Sequence, residues 1–156
     1  MKIINTLIIL LLTWSSMGQE YAKWDHDNNE VIIQNILNAE GKSKSDLTNI
    51  VKSFFVNTYK HGTRAIDFIN EDSGTIVSAG EIDVFGYTYH FTLSIQVKDE
   101  RLRYTVNNIR YYMYSREILF DNEKMIKAHK KPLRKIEDSI EQGLTDALSK
   151  VLDNDW

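Results

Sequence analysis

Alternation of apolar and polar residues from Ala65 to Tyr114 constrains the fold of this chain more than any other feature of its sequence. A period of two is typical of β-strands with one buried face, and three turn signals divide the segment into four strands. Because short turns join these strands, they must pair as an antiparallel meander. The segment therefore predicts a sheet with one apolar face, which a second layer has to cover.

The turn at Asp99 and Glu100 predicts the register of the last hairpin. It sets apolar residues against each other along both strands: Val97 with Leu102, Ile95 with Tyr104, and Leu93 with Val106. Continued unchanged, this register would place Phe91 opposite Asn108. We therefore expect a β-bulge at Asn107–Asn108, beyond which the pairs become Phe91 with Ile109, Tyr89 with Tyr111, and Tyr87 with Met113.

The two earlier hairpins are predicted in the same way. A turn at Phe85–Gly86 pairs Gly80 with Phe91, where the missing side chain leaves room for the ring. A three-residue loop, Asp72 to Gly74, predicts Phe68 opposite Ser78 and Ile66 opposite Gly80. All three hairpins place their apolar residues on one face.

Two segments have the period of an amphipathic helix. The first extends from about Ser45 to Tyr59, with caps in Ser43 to Asp46 and a stop at Gly62. The second starts at about Pro132 and carries one apolar stripe: Leu133, Ile136, Ile140, Leu144, Leu148, Val151 and Leu152. With a strand at Val31–Leu37, the order β-α-β-β-β-β-α predicts an α+β fold, an antiparallel sheet with two helices packed on one face.

The first residues have the layout of a signal peptide. Lys2 gives a positive start, an apolar run extends from Leu7 to Leu12, and the small residues Ser16 and Gly18 suit a signal peptidase. The run is much shorter than the roughly 20 residues of a membrane-spanning helix. We therefore expect a signal peptide over residues 1–18 and cleavage near Gly18. The mature protein would then be periplasmic or extracellular, without a transmembrane anchor.

The rest of the chain predicts one domain over residues 31–156, preceded by a polar lead-in over residues 19–30. The chain contains no cysteine, which excludes disulfides, a lipid-bearing cysteine and thiolate chemistry. The leader holds one lysine and no acid, so its removal changes the net charge from −3 to −4. Nucleic acid is therefore not expected as a partner.

The order of elements and two phrases, EDSGTIVSAGEI and FTLSIQVKDERLRYTVNNI, resemble an uncharacterised family of exported bacterial domains. The resemblance covers roughly Val31 to Tyr114, and its most specific part is the stretch from Lys98 to Tyr104. Members commonly carry glycine where this chain has Glu100. The resemblance implies a fold like that of the TATA-box-binding protein and an exported location. It implies no activity and no functional residues.

One polar row in the predicted sheet contains residue types used in acid-base chemistry. The register places Glu81 beside His90 and His90 beside Arg110, on the face opposite the core. A solvated ladder of ion pairs is the simpler interpretation, because no nucleophile stands out nearby. These three residues are the only catalytic candidates, and neither a cofactor nor a metal is expected. The start of a calcium loop at Asp25 and Asp27 lacks the remaining ligands.

Two further groups are candidates for binding. A basic cluster extends from Lys124 to Lys135 and includes His129, Lys130 and Lys131, which suits an anionic surface such as lipid headgroups or an acidic glycan. A solvated stretch before a helix is the simpler interpretation of such a run. Tyr112 and Tyr114 point away from the predicted core and suit a sugar or a peptide, although aromatic residues in strands usually pack.

These observations favour a non-catalytic binding or accessory domain of the bacterial cell envelope, with an envelope protein or glycan as partner. Two alternatives remain open. One is a small hydrolase or isomerase that uses the row of Glu81, His90 and Arg110. The other is a carrier that holds an apolar ligand between the sheet and the last helix, which requires a cavity there.

Overall fold

The computed structural model describes residues 21–58 and 66–150. The predicted signal peptide, Gly62, and the end of the last stripe at Val151 and Leu152 lie outside these residues. The described elements are, in chain order, β1 (Lys23–Asp25), β2 (Glu30–Asn38), α1 (Lys44–Thr58), β3 (Ile66–Asn70), β4 (Thr75–Val84), β5 (Tyr87–Lys98), β6 (Arg101–Met113), β7 (Arg116–Leu119), α2 (Lys124–Ala128) and α3 (Lys130–Lys150).

All the described strands belong to one antiparallel sheet in the order β1-β2-β6-β5-β4-β3, with β7 paired to the end of β6. The predicted α+β fold is therefore confirmed, with β1, α2 and β7 as additional elements. The strand β1 falls inside the predicted lead-in, where it pairs with the start of β2. Side-chain periodicity did not indicate it, because a strand of three residues is too short to show a period of two.

The register of the two long hairpins agrees with the prediction. Val97 faces Leu102, Ile95 faces Tyr104, and Gly80 faces Phe91. The bulge is also present: the register shifts between His90 and Thr92, and Asn108 has a positive φ of 50°. Glu30 fixes the bulge, because its carboxylate accepts hydrogen bonds from the Asn107 amide, at 3.2 Å, and the Asn108 backbone N–H, at 3.0 Å.

The predicted register of the β3–β4 hairpin is wrong. Ile66 faces Ser78 and Phe68 faces Val77, with a shift in register between them. The loop contains four residues because Asn70 already pairs with Thr75, and the Asn70 side chain accepts a hydrogen bond from the Ser73 N–H at 3.0 Å. This local bond closes the turn one residue earlier than expected. As a result, Phe68 lies on the uncovered face of the sheet, 53% exposed.

The helices α1 and α3 cover one face of the sheet and enclose the core. The central strands contribute fully buried residues to it, including Leu93, Ile95 and Tyr104, and α3 contributes Leu133 and Ile136. The two helices approach closely at Gly143, where an added Cβ would lie 2.7 Å from the Phe54 ring. The predicted cover of the apolar face by two helices is confirmed.

Both helix starts have a local cause. Ser43 and Asp46 cap α1 reciprocally: the Ser43 hydroxyl donates to the Asp46 carboxylate at 2.6 Å, and the Asp46 N–H donates to Ser43 Oγ at 3.2 Å. These bonds lower the pKa of Asp46. The helix α3 starts before the predicted Pro132, which lies in its first turn, where a missing N–H costs no intrahelical bond.

Candidate binding site at one end of the sheet

Two turns with exposed aromatic residues lie at the same end of the sheet. The β4–β5 turn contains Phe85 and the β6–β7 turn contains Tyr114, which are 72% and 93% exposed. Because β5 and β6 are neighbours, the two turns are about two strand spacings apart, roughly 10 Å. Their side chains therefore belong to one surface.

Further large apolar residues surround the two turns. We call the whole group the aromatic end of the sheet; its members are all exposed: Phe85, Tyr87, Tyr112, Met113, Tyr114 and Leu119. The Tyr87 ring lies 5.6 Å from the Tyr111 ring, edge to face. Several exposed large apolar residues at one end of a domain are typical of an interaction site.

The backbone at both turns is in the left-handed region. Phe85 and Gly86 have φ angles of 53° and 82°, and Tyr114 and Ser115 have φ angles of 50° and 64°. These are mirror-image turns, which suit the twist of a hairpin but favour asparagine and glycine. A bulky residue in this conformation is strained, and strained residues concentrate at functional sites.

A cluster of aromatic rings in the core lies next to the aromatic end. Tyr89, Tyr111, Phe120 and His129 pack together, and the Tyr89 hydroxyl lies 3.1 Å from His129 Nδ1, within hydrogen-bonding distance. Burial, together with neighbouring tyrosines, raises the pKa of Tyr89 to about 12, and burial lowers the pKa of His129. Burial therefore disfavours a charge on His129, which the sequence placed in the basic cluster.

Most of the other members of the basic cluster lie close to His129 along the chain. Lys124, Lys127, Lys130 and Lys131 are exposed on both sides of His129, and among the described residues none of them forms an ion pair. We call these four lysines the basic rim. Because His129 packs on Tyr111, which is two residues from the end of β6, the basic rim and the aromatic end occupy the same end of the molecule. Arg134 instead lies over the Tyr21 ring, 4.9 Å from its centroid.

The candidate catalytic row keeps the predicted register but does not form a connected site. Glu81 faces His90, and His90 faces Arg110. Glu81 Oε2 is 4.0 Å from His90 Nδ1, beyond hydrogen-bonding distance. Arg110 Nε is 3.0 Å from Glu117 Oε1, an ion pair whose N–H is not aligned for a hydrogen bond. The arrangement matches a ladder of partly solvated charges.

Glu137 and Glu141 form an acidic pair on α3 that lies against the sheet and was not among the candidates from the sequence. Glu141 Oε2 accepts hydrogen bonds from the Asn35 amide and the Tyr104 hydroxyl, both at 3.4 Å. Burial and the two acids Glu141 and Asp138 raise the pKa of Glu137, one turn earlier, to about 7, and Arg134 opposes this. In the sequence, two acids four residues apart beside the apolar stripe of α3 could have indicated this pair.

The sequence indicated only Tyr112 and Tyr114 of the aromatic end; of its other members, Phe85 is the most exposed. The turn was predicted at the correct position, but Phe85 was treated only as a turn residue. An aromatic residue in a two-residue turn is itself a signal, because turns favour small and polar residues. Asp25, which has the sequence position of a first calcium ligand, instead accepts hydrogen bonds from the Asp27 N–H and the Asn28 amide, both at 3.0 Å.

The architecture is that of a small α+β domain with an antiparallel sheet and helices on one face. Residues 34–112 match the family model described as a domain of unknown function (DUF4468) with TBP-like fold, and the chain belongs to this family. The resemblance inferred from the sequence is confirmed in family and fold. No curated protein matches the sequence.

Solved structures share the fold. A DUF4468 family protein from Bacteroides ovatus has a TM-score of 0.64 at 13% identity, over 78% of this chain and 87% of that chain. A TBP-like protein from Parabacteroides distasonis has a TM-score of 0.62 at 14% identity, over 81% of this chain and 97% of that chain. Within the described residues, the helices are too short or too polar to cross a membrane.

Proposed function

We propose that the protein is an exported, non-catalytic binding domain of the bacterial cell envelope and that it holds its partner at the aromatic end of the sheet. The observation that carries this proposal is the position of Phe85 and Tyr114. Both are bulky, largely exposed and held in a left-handed conformation that their residue types disfavour. Such residues do not serve the stability of the domain, so a contact outside the domain accounts for them better.

The two alternatives have less support. A hydrolase on the row of Glu81, His90 and Arg110 requires a connected acid-base pair, and the carboxylate lies 4.0 Å from the imidazole. A carrier requires a cavity between the sheet and α3. The space beside Phe91 and Ile136 holds about 150 Å³, and ligand sites usually have about 300 Å³ or more. A second space of about 350 Å³, beside Leu37 and Leu148, is wide open to solvent, so it is a surface groove and does not enclose an apolar ligand.

Export is tested by the position of the mature amino terminus. Protein recovered from the periplasm or the medium is expected to begin at Gln19. A charged residue in the apolar run, Ile9→Arg, should keep the precursor inside the cell, because a signal peptide needs an uninterrupted apolar segment. An unprocessed wild-type chain in the cytoplasm would contradict the proposal.

Binding is tested with paired variants in a pull-down from envelope extract that retains its membranes. Wild-type protein should recover a component that the double variant Phe85→Asn/Tyr114→Asn does not. The control is Phe68→Thr, which removes an exposed aromatic side chain from the edge strand β3, away from the two turns. No recovery above background, or equal recovery by the double variant, would exclude a binding site at the aromatic end.

A further inference from the structure

We propose that the partner of the aromatic end is an anionic lipid bilayer, into which the two turns insert while the basic rim contacts the headgroups. This inference rests on the proposed function and adds the identity of the partner. It follows from the shape of the aromatic end, its residue types and the charge around it.

The shape of the aromatic end suits a continuous apolar phase. Phe85 and Tyr114 occupy the tips of two separate hairpin turns, so they project from the end of the sheet. Projecting side chains that are 72% and 93% exposed do not enclose a small ligand. A lipid interface can surround both tips at once and bury their apolar area without a preformed cavity.

The residue types are those that occur at membrane–water interfaces. Tyr87, Tyr112 and Tyr114 combine an apolar ring with a polar hydroxyl, which suits the headgroup level. Phe85 and Met113 are purely apolar and suit the region just below the headgroups. The exposed lysines of the basic rim have long apolar stems that allow the ammonium groups to remain at headgroup level.

The charge of this end complements an anionic surface. Residues 116–135 contain seven lysines and arginines and three acids, in a chain whose net charge is −3. One of the three acids, Glu117, is already paired with Arg110. On the β4–β5 hairpin, Asp83 adds one carboxylate, which accepts a hydrogen bond from the Thr88 hydroxyl at 2.6 Å and keeps its charge, so basic residues still outnumber acids at this end. An anionic bilayer would therefore attract this end and repel the rest of the molecule.

Vesicle sedimentation of the mature protein tests the proposal. Wild-type protein is expected to sediment with vesicles of phosphatidylcholine and phosphatidylglycerol, and much less with phosphatidylcholine alone. The double variant Phe85→Asn/Tyr114→Asn should bind at least about tenfold more weakly. Asparagine accepts the left-handed conformation, so the variant should fold, and its thermal melt will show this.

The charge contribution is tested separately. Lys130→Gln/Lys131→Gln should weaken binding by roughly fivefold per lysine, and added salt should reduce the difference. Matched controls are Lys98→Gln/Arg101→Gln, at the opposite end of the sheet, and Phe68→Thr on β3. Both controls should bind as the wild type does.

The outcomes separate this inference from the proposed function. Wild-type protein that does not sediment with anionic vesicles, or tip variants that bind like the wild type, would overturn the lipid proposal. If a protein or an acidic glycan is then recovered from envelope extract through the same end, the proposed function stands with a different partner. If that recovery also fails, both are wrong.

Discussion

Replacing Glu137 by glutamine is expected to stabilise the protein at alkaline pH and to change little at acidic pH. Glu137 lies on α3, partly buried against the sheet, where burial and the charges of Glu141 and Asp138 raise its pKa to about 7 from an ordinary value of 4.5. Arg134, on the same helix, acts in the opposite direction, and Tyr104 faces the pair from β6. The folded protein therefore binds this proton more tightly than the unfolded chain does.

The sign of the effect follows from this difference. Below about pH 4.5, Glu137 is protonated in both the folded and the unfolded state, so it does not lower the free energy of unfolding. As the pH rises from about 4.5 to 7, the unfolded chain loses the proton first, so the folded state loses stability. One pKa unit corresponds to about 1.4 kcal/mol, which gives about 3 kcal/mol as an upper bound. Because the side chain is only partly buried, water screens the charge, and about 1–2 kcal/mol is the better expectation.

The assay is urea denaturation of the wild type and Glu137→Gln at several pH values. We expect the variant to be more stable by about 1–2 kcal/mol at about pH 8 and equal to the wild type at about pH 4. Asp146→Asn is the matched control, since it removes an exposed acid from the same helix that is not among the charges acting on Glu137, and we expect a change within about 0.5 kcal/mol. A difference for Glu137→Gln that does not depend on pH would refute the reasoning.

Three further predictions concern the contacts of Gly80, Gly143 and Glu30. Gly80→Ala would place a Cβ against the Phe91 ring and should cost about 2 kcal/mol. Adding Phe91→Leu to this variant should recover part of the loss, and urea denaturation of the wild type, the single variant and the double variant measures both changes. Gly143→Ala should lower the free energy of unfolding by about 1 kcal/mol in the same assay, because the clash with the Phe54 ring exceeds the gain in helix propensity. A more stable variant would contradict the close approach of α1 and α3. Glu30→Gln should lower the free energy of unfolding by about 1 kcal/mol, because the two hydrogen bonds at the bulge use both carboxylate oxygens and an amide has only one oxygen. Unchanged hydrogen exchange of the amides at the bulge would argue against this role of Glu30.

The sequence predicted the central sheet because several local signals agreed there. Alternation identified the buried face, the turns fixed the register, and the conflict between Phe91 and Asn108 revealed the bulge. The family resemblance pointed to the same fold. The confirmed pairs of Gly80 with Phe91 and of Tyr89 with Tyr111 follow from these signals.

Features that depend on a single local contact were not predictable in the same way. The β3–β4 register depends on the bond from the Ser73 N–H to the Asn70 side chain, and β1 depends on backbone pairing with β2. His129 looked like part of a basic run, but the junction of α2 and α3 turns its ring towards Tyr89 and Tyr111. The candidate site also needed the structure, because residues 85, 114 and 130 meet at one end only after the sheet forms.

Because the backbone at Phe85 is strained, replacing this residue is expected to change stability and binding in opposite directions. A left-handed conformation costs most residues about 1–2 kcal/mol, and asparagine considerably less. Phe85 is 72% exposed, so its replacement loses little packing. Phe85→Asn is therefore expected to stabilise the domain by about 1 kcal/mol, seen as a higher Tm by calorimetry, while binding at the aromatic end weakens. A lower Tm would mean that the Phe85 ring stabilises the fold, and the argument that connects its strain to binding would fail.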